Sequence, residues 1–233
     1  MQDAWLQIVN RDQETALPKT GMQPIRRQQL IQATMAAIDE VGLADATVLR
    51  IARHAGVSAG IISHYFGGKD GLLEATMRQI LSDLGQAVAQ RRHQLAPHAS
   101  PRDYIGAIID GNFDHTQVTG PAAKTWLAFW SSSMHQQPLQ RLQKVNDRRL
   151  FSNLCSQFHR LMPHERARDA ARGLAAMIDG LWLRGALTPE GLDAERARRL
   201  AHAYLDQLLA DNESFPAPPR RQHDRLRHRD PLP

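Results

Sequence analysis

Ser63, His64, Tyr65 and Lys69 lie close together in the 233-residue chain and could act on one kind of partner. The hydroxyl of Ser63 and the imidazole of His64 can form hydrogen bonds with the edges of nucleic-acid bases. Tyr65 and Lys69 suit phosphate oxygens, and Lys69 precedes Asp70 at a predicted helix start, where backbone amides also favour an anion. A lysine by itself is an ordinary solvated residue, so the phosphate role of Lys69 rests on its place beside the other three.

The residues before this group predict two short helices joined by a tight turn. Thr47 is placed to cap the first helix, and Ser58 to cap the second. Between them, Gly56 supplies the positive φ that the bend needs, and Val57 anchors the bend in the core. Because two helices held in this way present the second one to the major groove of DNA, residues 47–65 predict a helix-turn-helix.

The second short helix has two predicted faces. Ile62 and Phe66 are spaced i, i+4 and are expected to point towards the core. The other face is left for DNA, where Ala59 or Ile61 can touch a thymine methyl group. A helical hairpin alone also occurs in proteins that do not bind DNA, so the polar residues on this face are essential to the interpretation.

Two arginines near the first helix, Arg26 and Arg27, could reach a phosphate or the minor groove, although solvation on a helix surface explains them equally well. The complete set of predicted DNA-binding residues is Arg26, Arg27, Thr47, Ser58, Ala59, Gly60, Ile61, Ser63, His64, Tyr65 and Lys69.

The composition is that of an ordinary folded chain, with 42% hydrophobic and 23% charged residues. The net charge of +5 favours polyanions only weakly. The single cysteine, Cys155, excludes an intrachain disulfide and a zinc site built on several thiolates. Since no apolar run is long enough to span a membrane and the N-terminus does not resemble a signal peptide, we expect a cytoplasmic protein without membrane contact. No cofactor and no metal site are predicted.

Apolar residues recur three and four positions apart, and no stretch alternates as a strand would, so the predicted fold is all-α. The expected helices cover residues 25–41, two short segments up to 66, and then 70–94, 101–117, 121–134, 137–161, 163–185 and 192–210. The domains that follow are a disordered extension (1–18), a helix-turn-helix domain (19–69), a helical effector-binding and dimerisation domain (70–210) and a disordered, proline-rich tail (211–233).

The residues in and around the short helices form a recognisable set: Thr47, Ile51, Ala52, residues 55–58 (AGVS), Gly60, Tyr65, Phe66, Lys69 and Leu72. Over residues 25–73 this set resembles the TetR family of one-component repressors. The flanking residues and the segment 126–130 (WLAFW) extend the resemblance, to about residue 209, to the choline-responsive members of that family. One departure is Ser63, where many relatives carry tyrosine, and it is expected to alter base readout rather than the fold.

The resemblance implies a homodimer that binds a pseudo-palindromic, double-stranded DNA operator, each subunit presenting one reading helix to a half-site. Apolar stripes on the last two helices are candidates for the dimer interface, although an intrachain core explains each residue equally well. These residues are Ala170, Leu174, Met177, Leu181, Leu200, Tyr204 and Leu208.

Aromatic residues in the second domain suggest a pocket for a small cation. Trp126 and Trp130 stand one helical turn apart, and aromatic faces attract a quaternary ammonium group such as that of choline. Large rings also dominate helical interiors, so a plain core role fits each of them as well. The predicted ligand-binding residues are Tyr104, Asp110, Trp126, Phe129, Trp130, Asp179 and Trp182, with the two carboxylates as counter-charges.

The preferred function, implied by the resemblance, is a repressor of the genes that convert choline to the osmoprotectant glycine betaine, released or modulated by choline. The alternative is a TetR-type repressor of efflux genes that responds to lipophilic cations. An enzyme is disfavoured because the histidines are scattered and no HExxH, GxSxG, P-loop or cysteine-nucleophile motif occurs. A sequence-neutral architectural DNA binder would show strong salt dependence without preferring an operator.

Overall fold

A computed structural model describes the backbone of residues 19–214 and the side chains of residues 23–212. The predicted extension at 1–18 and the part of the predicted tail beyond 214 lie outside the described residues. All regular elements in the described part of the chain are helices, which confirms the all-α prediction. In order they are α1 (Lys19–Asp45), α2 (Val48–His54), α3 (Ala59–Phe66), α4 (Lys69–His93), α5 (Pro101–Asn112), α6 (His115–Val118), α7 (Gly120–Ser133), α8 (Gln137–Phe158), α9 (His164–Ala186) and α10 (Ala194–Ser214).

The largest differences from the predicted helices occur in three places. Helix α1 starts at Lys19 and continues past the predicted end, bending at Gly42, whose φ is 75°. The segment predicted as one helix over 101–117 is two helices, because the Asp114 side chain accepts a hydrogen bond from the Thr116 amide and begins α6. Helix α10 extends to Ser214, so the first residues of the predicted tail are helical.

The first three helices enclose a small core. Ile51 and Ala52 of α2 and Ile62 of α3 are buried against Leu30 of α1. Helix α4 closes this core with Leu72 near its start. Seven- and eight-residue helices are too short to be stable alone, so α2 and α3 depend on this packing.

Helix α4 extends from the small core into the bundle formed by α5 to α10. It packs closely on α5, where a Cβ atom at Gly111 would lie 2.6 Å from Val88. Helix α5 itself begins in a reciprocal capping box between Ser100 and Asp103. The core of the bundle is built on large rings, which include Phe113, Phe129 and Phe158.

Helix α7 lies between the two parts of the subunit. It packs against α1 on one side and against α8 and α9 on the other. Its central residues therefore contact the interior of the bundle while its first turn touches the helix-turn-helix domain. None of the helices within residues 19–214 is long and apolar enough to cross a membrane.

Candidate DNA interface and ligand cavity

The position of α3, the helix predicted to read DNA bases, depends on local features of α2, of the turn before α3 and of the end of α3. The Thr47 hydroxyl accepts a hydrogen bond from the Arg50 amide at 3.3 Å and begins α2. Gly56, with a φ of 62°, allows the sharp turn into α3, and Gly67, with a φ of 73°, ends α3. Ser58 occupies the N-cap position in an extended conformation, but its side chain makes no capping hydrogen bond, contrary to expectation.

The two predicted faces of α3 are present. Ile62 is fully buried, whereas Ser63 and His64 are exposed on the opposite side. The ring of His64 meets that of Tyr65 edge-on, with 5.1 Å between centroids, so the half-buried tyrosine supports the exposed imidazole. The polar groups that could read base edges are therefore held at the surface by neighbours on the same helix.

The small residues of this face differ in their exposure. Gly60 is exposed beside Ser63, whereas Ala59 and Ile61 are half-buried and pack partly against the core. The two apolar side chains therefore present only part of their surface for contact with a thymine methyl group.

Arg27 fastens the end of α3 to α1. It donates a hydrogen bond to the Tyr65 carbonyl at 2.9 Å, and its Cζ lies 4.5 Å from the centre of the Phe66 ring. Arg26, by contrast, donates to Gln29 on its own helix at 2.9 Å. Sequence reasoning had weighed phosphate binding against solvation for both arginines and had not considered this positioning role for Arg27.

Lys69 ties the start of α4 to the bend at the end of α1. Its Nζ donates to the Leu43 carbonyl at 3.0 Å, and the side chain is half-buried. An ammonium group carries three donors, so two N–H groups are left for a phosphate. The residue can therefore bind the DNA backbone while it holds the two helices together.

The predicted tryptophans come together around one cavity in the bundle. Trp126 of α7 lies 5.9 Å from Trp130 and 6.3 Å from Trp182 of α9, measured between ring centroids. Two of the indole N–H groups donate hydrogen bonds to neighbouring residues. Trp126 donates to Gln117 Oε1 at 3.4 Å, and Trp182 donates to the Asn112 carbonyl at 3.1 Å. These bonds fix the orientation of two of the rings.

This aromatic compartment encloses about 350 Å³ of space, part of it open to solvent. The side chains nearly meet across it and leave room at its centre for only about one water molecule. Its lining residues are Leu84, Asn112, Gln117, Trp126, Trp130, Asn146, Leu150, Ile178, Asp179 and Trp182. A larger ligand can therefore bind only if lining side chains move. Of the three tryptophans in this lining, Trp130 is half-buried and the other two are buried.

Asp179 brings a negative charge to this compartment. The residue keeps an exposed part, but burial of its carboxyl group raises the pKa of Asp179 to about 6, and the nearby carboxylate of Asp147 contributes to the same shift. Burial also raises the pKa of Asp147, against the hydrogen bond that it accepts from Gln143 at 2.6 Å. The Gln143 Oε1 atom is itself buried without a hydrogen-bond partner.

These groups on α8 and α9 all accept hydrogen bonds or carry negative charge, an arrangement that favours a cation. Sequence reasoning identified Asp179 but missed Asp147 and Gln143, although their i, i+4 spacing on α8 was visible.

Two predicted ligand residues lie elsewhere. Asp110 pairs with His202 of α10 at 2.9 Å on the outer side of α5, and Tyr104 lies beneath the Arg92 guanidinium at 5.7 Å. Neither residue lines the aromatic compartment. Phe129 is fully buried behind Trp126 at 5.9 Å, so it supports the compartment rather than lining it. Helix α5 buries its apolar residues and Asn112, whereas Tyr104 and Asp110 lie on its half-buried side.

The apolar residues expected at the dimer interface differ in how far they are buried within the subunit. Ala170 and Leu174 are buried within the subunit, so they belong to its own core. Met177, Leu181, Tyr204 and Leu208 are half-buried, and Leu200 is 42% exposed. Exposed leucines that were not predicted, Leu183 on α9 and Leu187 directly after it, extend this apolar surface.

A helix-turn-helix with polar side chains on its outer face, joined to a helical bundle with its own cavity, defines a one-component DNA-binding regulator. A family model described as "Bacterial regulatory proteins, tetR family" matches residues 30–76, and one described as "BetI-type transcriptional repressor, C-terminal" matches residues 101–210. The chain belongs to the TetR family of transcriptional repressors, in its BetI-type group. The predictions of a DNA-binding repressor, of operator DNA and of a homodimer are confirmed at this level, and members of the family are regulators rather than enzymes.

Individual relatives agree with this assignment. The chain is 81% identical over 193 residues to the HTH-type transcriptional regulator BetI 2 of Chromohalobacter salexigens, an alignment that covers 83% of this chain and 93% of the relative. A solved transcriptional regulator from Pseudomonas aeruginosa PAO1 matches with a TM-score of 0.70 at 25% identity, over 83% of this chain and 95% of that one. A regulator from Saccharomonospora viridis in complex with choline matches with a TM-score of 0.67 at 17% identity, over 77% and 95%.

Proposed function

We propose that this repressor acts in the cytoplasm on the genes that convert choline to glycine betaine, and that choline in the aromatic compartment releases it from its operator. The observation that carries the proposal is the convergence of Trp126, Trp130 and Trp182 beside Asp179. Tryptophan faces attract a quaternary ammonium, and the carboxylate adds a full negative charge. The binding of choline by the Saccharomonospora viridis regulator indicates that the fold can accommodate this ligand.

The closed state of the compartment connects binding to a change of shape. Choline is larger than the space available, so it binds only when side chains of α7, α8 or α9 move apart. A ligand shifts a conformational equilibrium when it binds one state better than the other. The compartment described here is too small for choline, and we assign this closed conformation to operator binding.

Helix α7 provides a direct route from this compartment to the DNA. Trp126 and Trp130 lie on its inner side, whereas its first turns contact α1. Movement of the tryptophans therefore displaces α1. Because Arg27 of α1 contacts Tyr65 and Phe66, α3 moves with it. In a dimer, a small rotation of each subunit changes the separation of the two reading helices and weakens binding to a palindromic site.

Calorimetric titration with choline tests the proposal. We expect Trp126→Ala and Trp182→Ala to weaken choline binding at least tenfold, since each removes a ring from the compartment. Tyr104→Ala is the matched control, because this half-buried aromatic residue lies outside the compartment and should leave the affinity within about twofold. Unchanged choline affinity in both tryptophan variants would exclude the aromatic compartment as the site.

The choice of genes is tested separately by a gel shift on the DNA adjoining the choline-oxidation genes. We expect a shift that choline reverses and that tetraphenylphosphonium, a lipophilic cation, does not. A release by tetraphenylphosphonium with no response to choline would favour the efflux regulator instead.

A further inference from the structure

A second space lies beside the aromatic compartment, between α4, α5 and α8, and we call it the amide compartment. It encloses about 320 Å³, part of it open to solvent. The two compartments share four wall residues, Leu84, Asn112, Asn146 and Leu150. The residues that line the amide compartment alone are Gly85, Val88, Ile108, Arg149 and Asn153. The two compartments are therefore neighbours, and because each leaves room for only about one water molecule, a ligand that occupies both must move the side chains of their common wall.

The two compartments differ in their charge. Asp179 is the charged residue that lines the aromatic compartment, whereas Arg149 is the one that lines the amide compartment. The remaining polar groups around Arg149 are the amides of Asn112, Asn146 and Asn153. Carboxamide N–H groups and a guanidinium are donors that suit a carboxylate or a phosphate. The two neighbouring compartments thus differ in character: one is aromatic with a negative charge, and the other is polar with a positive charge.

A buried glycine makes room for this positive charge. A Cβ atom at Gly85 would lie 2.7 Å from Nη1 and 2.8 Å from Cζ of Arg149. The guanidinium therefore lies directly over the backbone of α4, in space that any other residue at position 85 would occupy. Within the described part of the chain, no carboxylate pairs with Arg149, so its planar set of N–H donors is available to a ligand.

We infer that the cavity takes quaternary ammonium compounds that also carry an anionic group, a carboxylate or a phosphate. The ammonium group lies among the tryptophans beside Asp179, and the anionic group is bound by Arg149 and the asparagine amides. The inference rests on the proposed function, because both place the cation in the aromatic compartment. Choline occupies that compartment alone, whereas a zwitterion engages both and gains the charge-assisted hydrogen bonds of Arg149.

The test compares choline with two zwitterions, glycine betaine for the carboxylate and phosphocholine for the phosphate, by calorimetry on the full-length dimer. We expect at least one zwitterion to bind, and Arg149→Gln to weaken its binding tenfold or more while choline affinity stays within about twofold. Arg148→Gln is the matched control, because this neighbouring exposed arginine does not line either compartment. Arg149→Lys should recover part of the affinity, since it keeps the charge but not the planar set of donors.

Asn153→Ala provides a second variant that should fold normally if Arg149→Gln does not, and it should weaken zwitterion binding at least threefold. Binding of choline with no binding of either zwitterion would overturn the inference and leave the proposed function intact. A zwitterion that binds equally well to the wild type and to both cavity variants would also overturn it. If none of the three compounds binds, the proposed function fails as well.

Discussion

Lys124 of α7 contacts two separate oxygen atoms of Asp39 in α1. Its Nζ donates to the Asp39 backbone carbonyl at 2.7 Å and lies 2.8 Å from the Asp39 carboxylate oxygen Oδ1. Lys124 stands two residues before Trp126, which lines the aromatic compartment. The pair therefore joins α7, which holds Trp126 and Trp130 of the aromatic compartment, to α1, the first helix of the DNA-binding domain.

We predict that Lys124→Met leaves operator affinity nearly unchanged but reduces the response to choline. The ion pair is partly exposed, so its loss should alter the free energy of unfolding by less than about 1 kcal/mol. The choline concentration for half-release of the operator should rise threefold or more, because α7 then moves without pulling α1. Gel shifts at increasing choline measure this, with Lys144→Met, an exposed lysine of α8, as the control. Equal choline responses in both variants would show that the signal takes another route.

His64→Ala is predicted to reduce binding to the operator about fivefold or more, since a good contact to a base edge is worth about 1–3 kcal/mol. The imidazole is exposed, so the free energy of unfolding should hardly change. Fluorescence anisotropy with operator and scrambled DNA measures the effect, and His93→Ala at the end of α4 serves as the control. A matching loss on scrambled DNA would contradict base reading and indicate a backbone contact.

Choline binding should strengthen as the pH rises from 5 to 7.5. The pKa of Asp179 is raised to about 6, so the carboxyl group is neutral below that pH and attracts the cation only above it. A bound cation stabilises the charged form, so choline should also release protons near pH 6. Calorimetry in buffers of different ionisation enthalpy detects this release. Asp179→Asn should flatten the pH profile, whereas Asp169→Asn, exposed on the same helix, should preserve it.

Leu183→Glu is predicted to convert the dimer to a monomer. Leu183, Leu187 and Leu200 are 42%, 68% and 42% exposed on α9, directly after it and on α10, and a charge at the centre of an apolar interface carries a large desolvation cost. Sedimentation velocity gives the oligomeric state. Met134→Glu, at a 70% exposed apolar residue outside these helices, should remain dimeric. A dimeric Leu183→Glu protein would place the interface elsewhere.

The helix-turn-helix could be predicted from the sequence because its determinants are local. Thr47 begins α2, and Gly56 and the buried Ile62 hold the turn and the helix after it, all within one short segment. The absence of a capping hydrogen bond at Ser58 could not be predicted, because the orientation of a hydroxyl depends on rotamer and neighbours.

The ligand cavity could be predicted only in part. Trp126 and Trp130 are one turn apart, so their common face followed from helical geometry. Asp110 was predicted beside the aromatic residues but lies against His202 of α10, and sequence spacing does not show which helices pack together. Asp147 was missed for the same reason, since its effect on Asp179 depends on how α8 lies against α9.

Helix α3 is anchored by residues that do not face outward, namely Ile62 in the core and Phe66 under Arg27. The side chains of Ser63 and His64 take no part in this anchoring. Replacing them should therefore change which bases α3 contacts without changing the position of the helix. Substitutions at these two adjacent positions can therefore change operator preference, among relatives or in the laboratory, while the ligand-binding bundle stays the same.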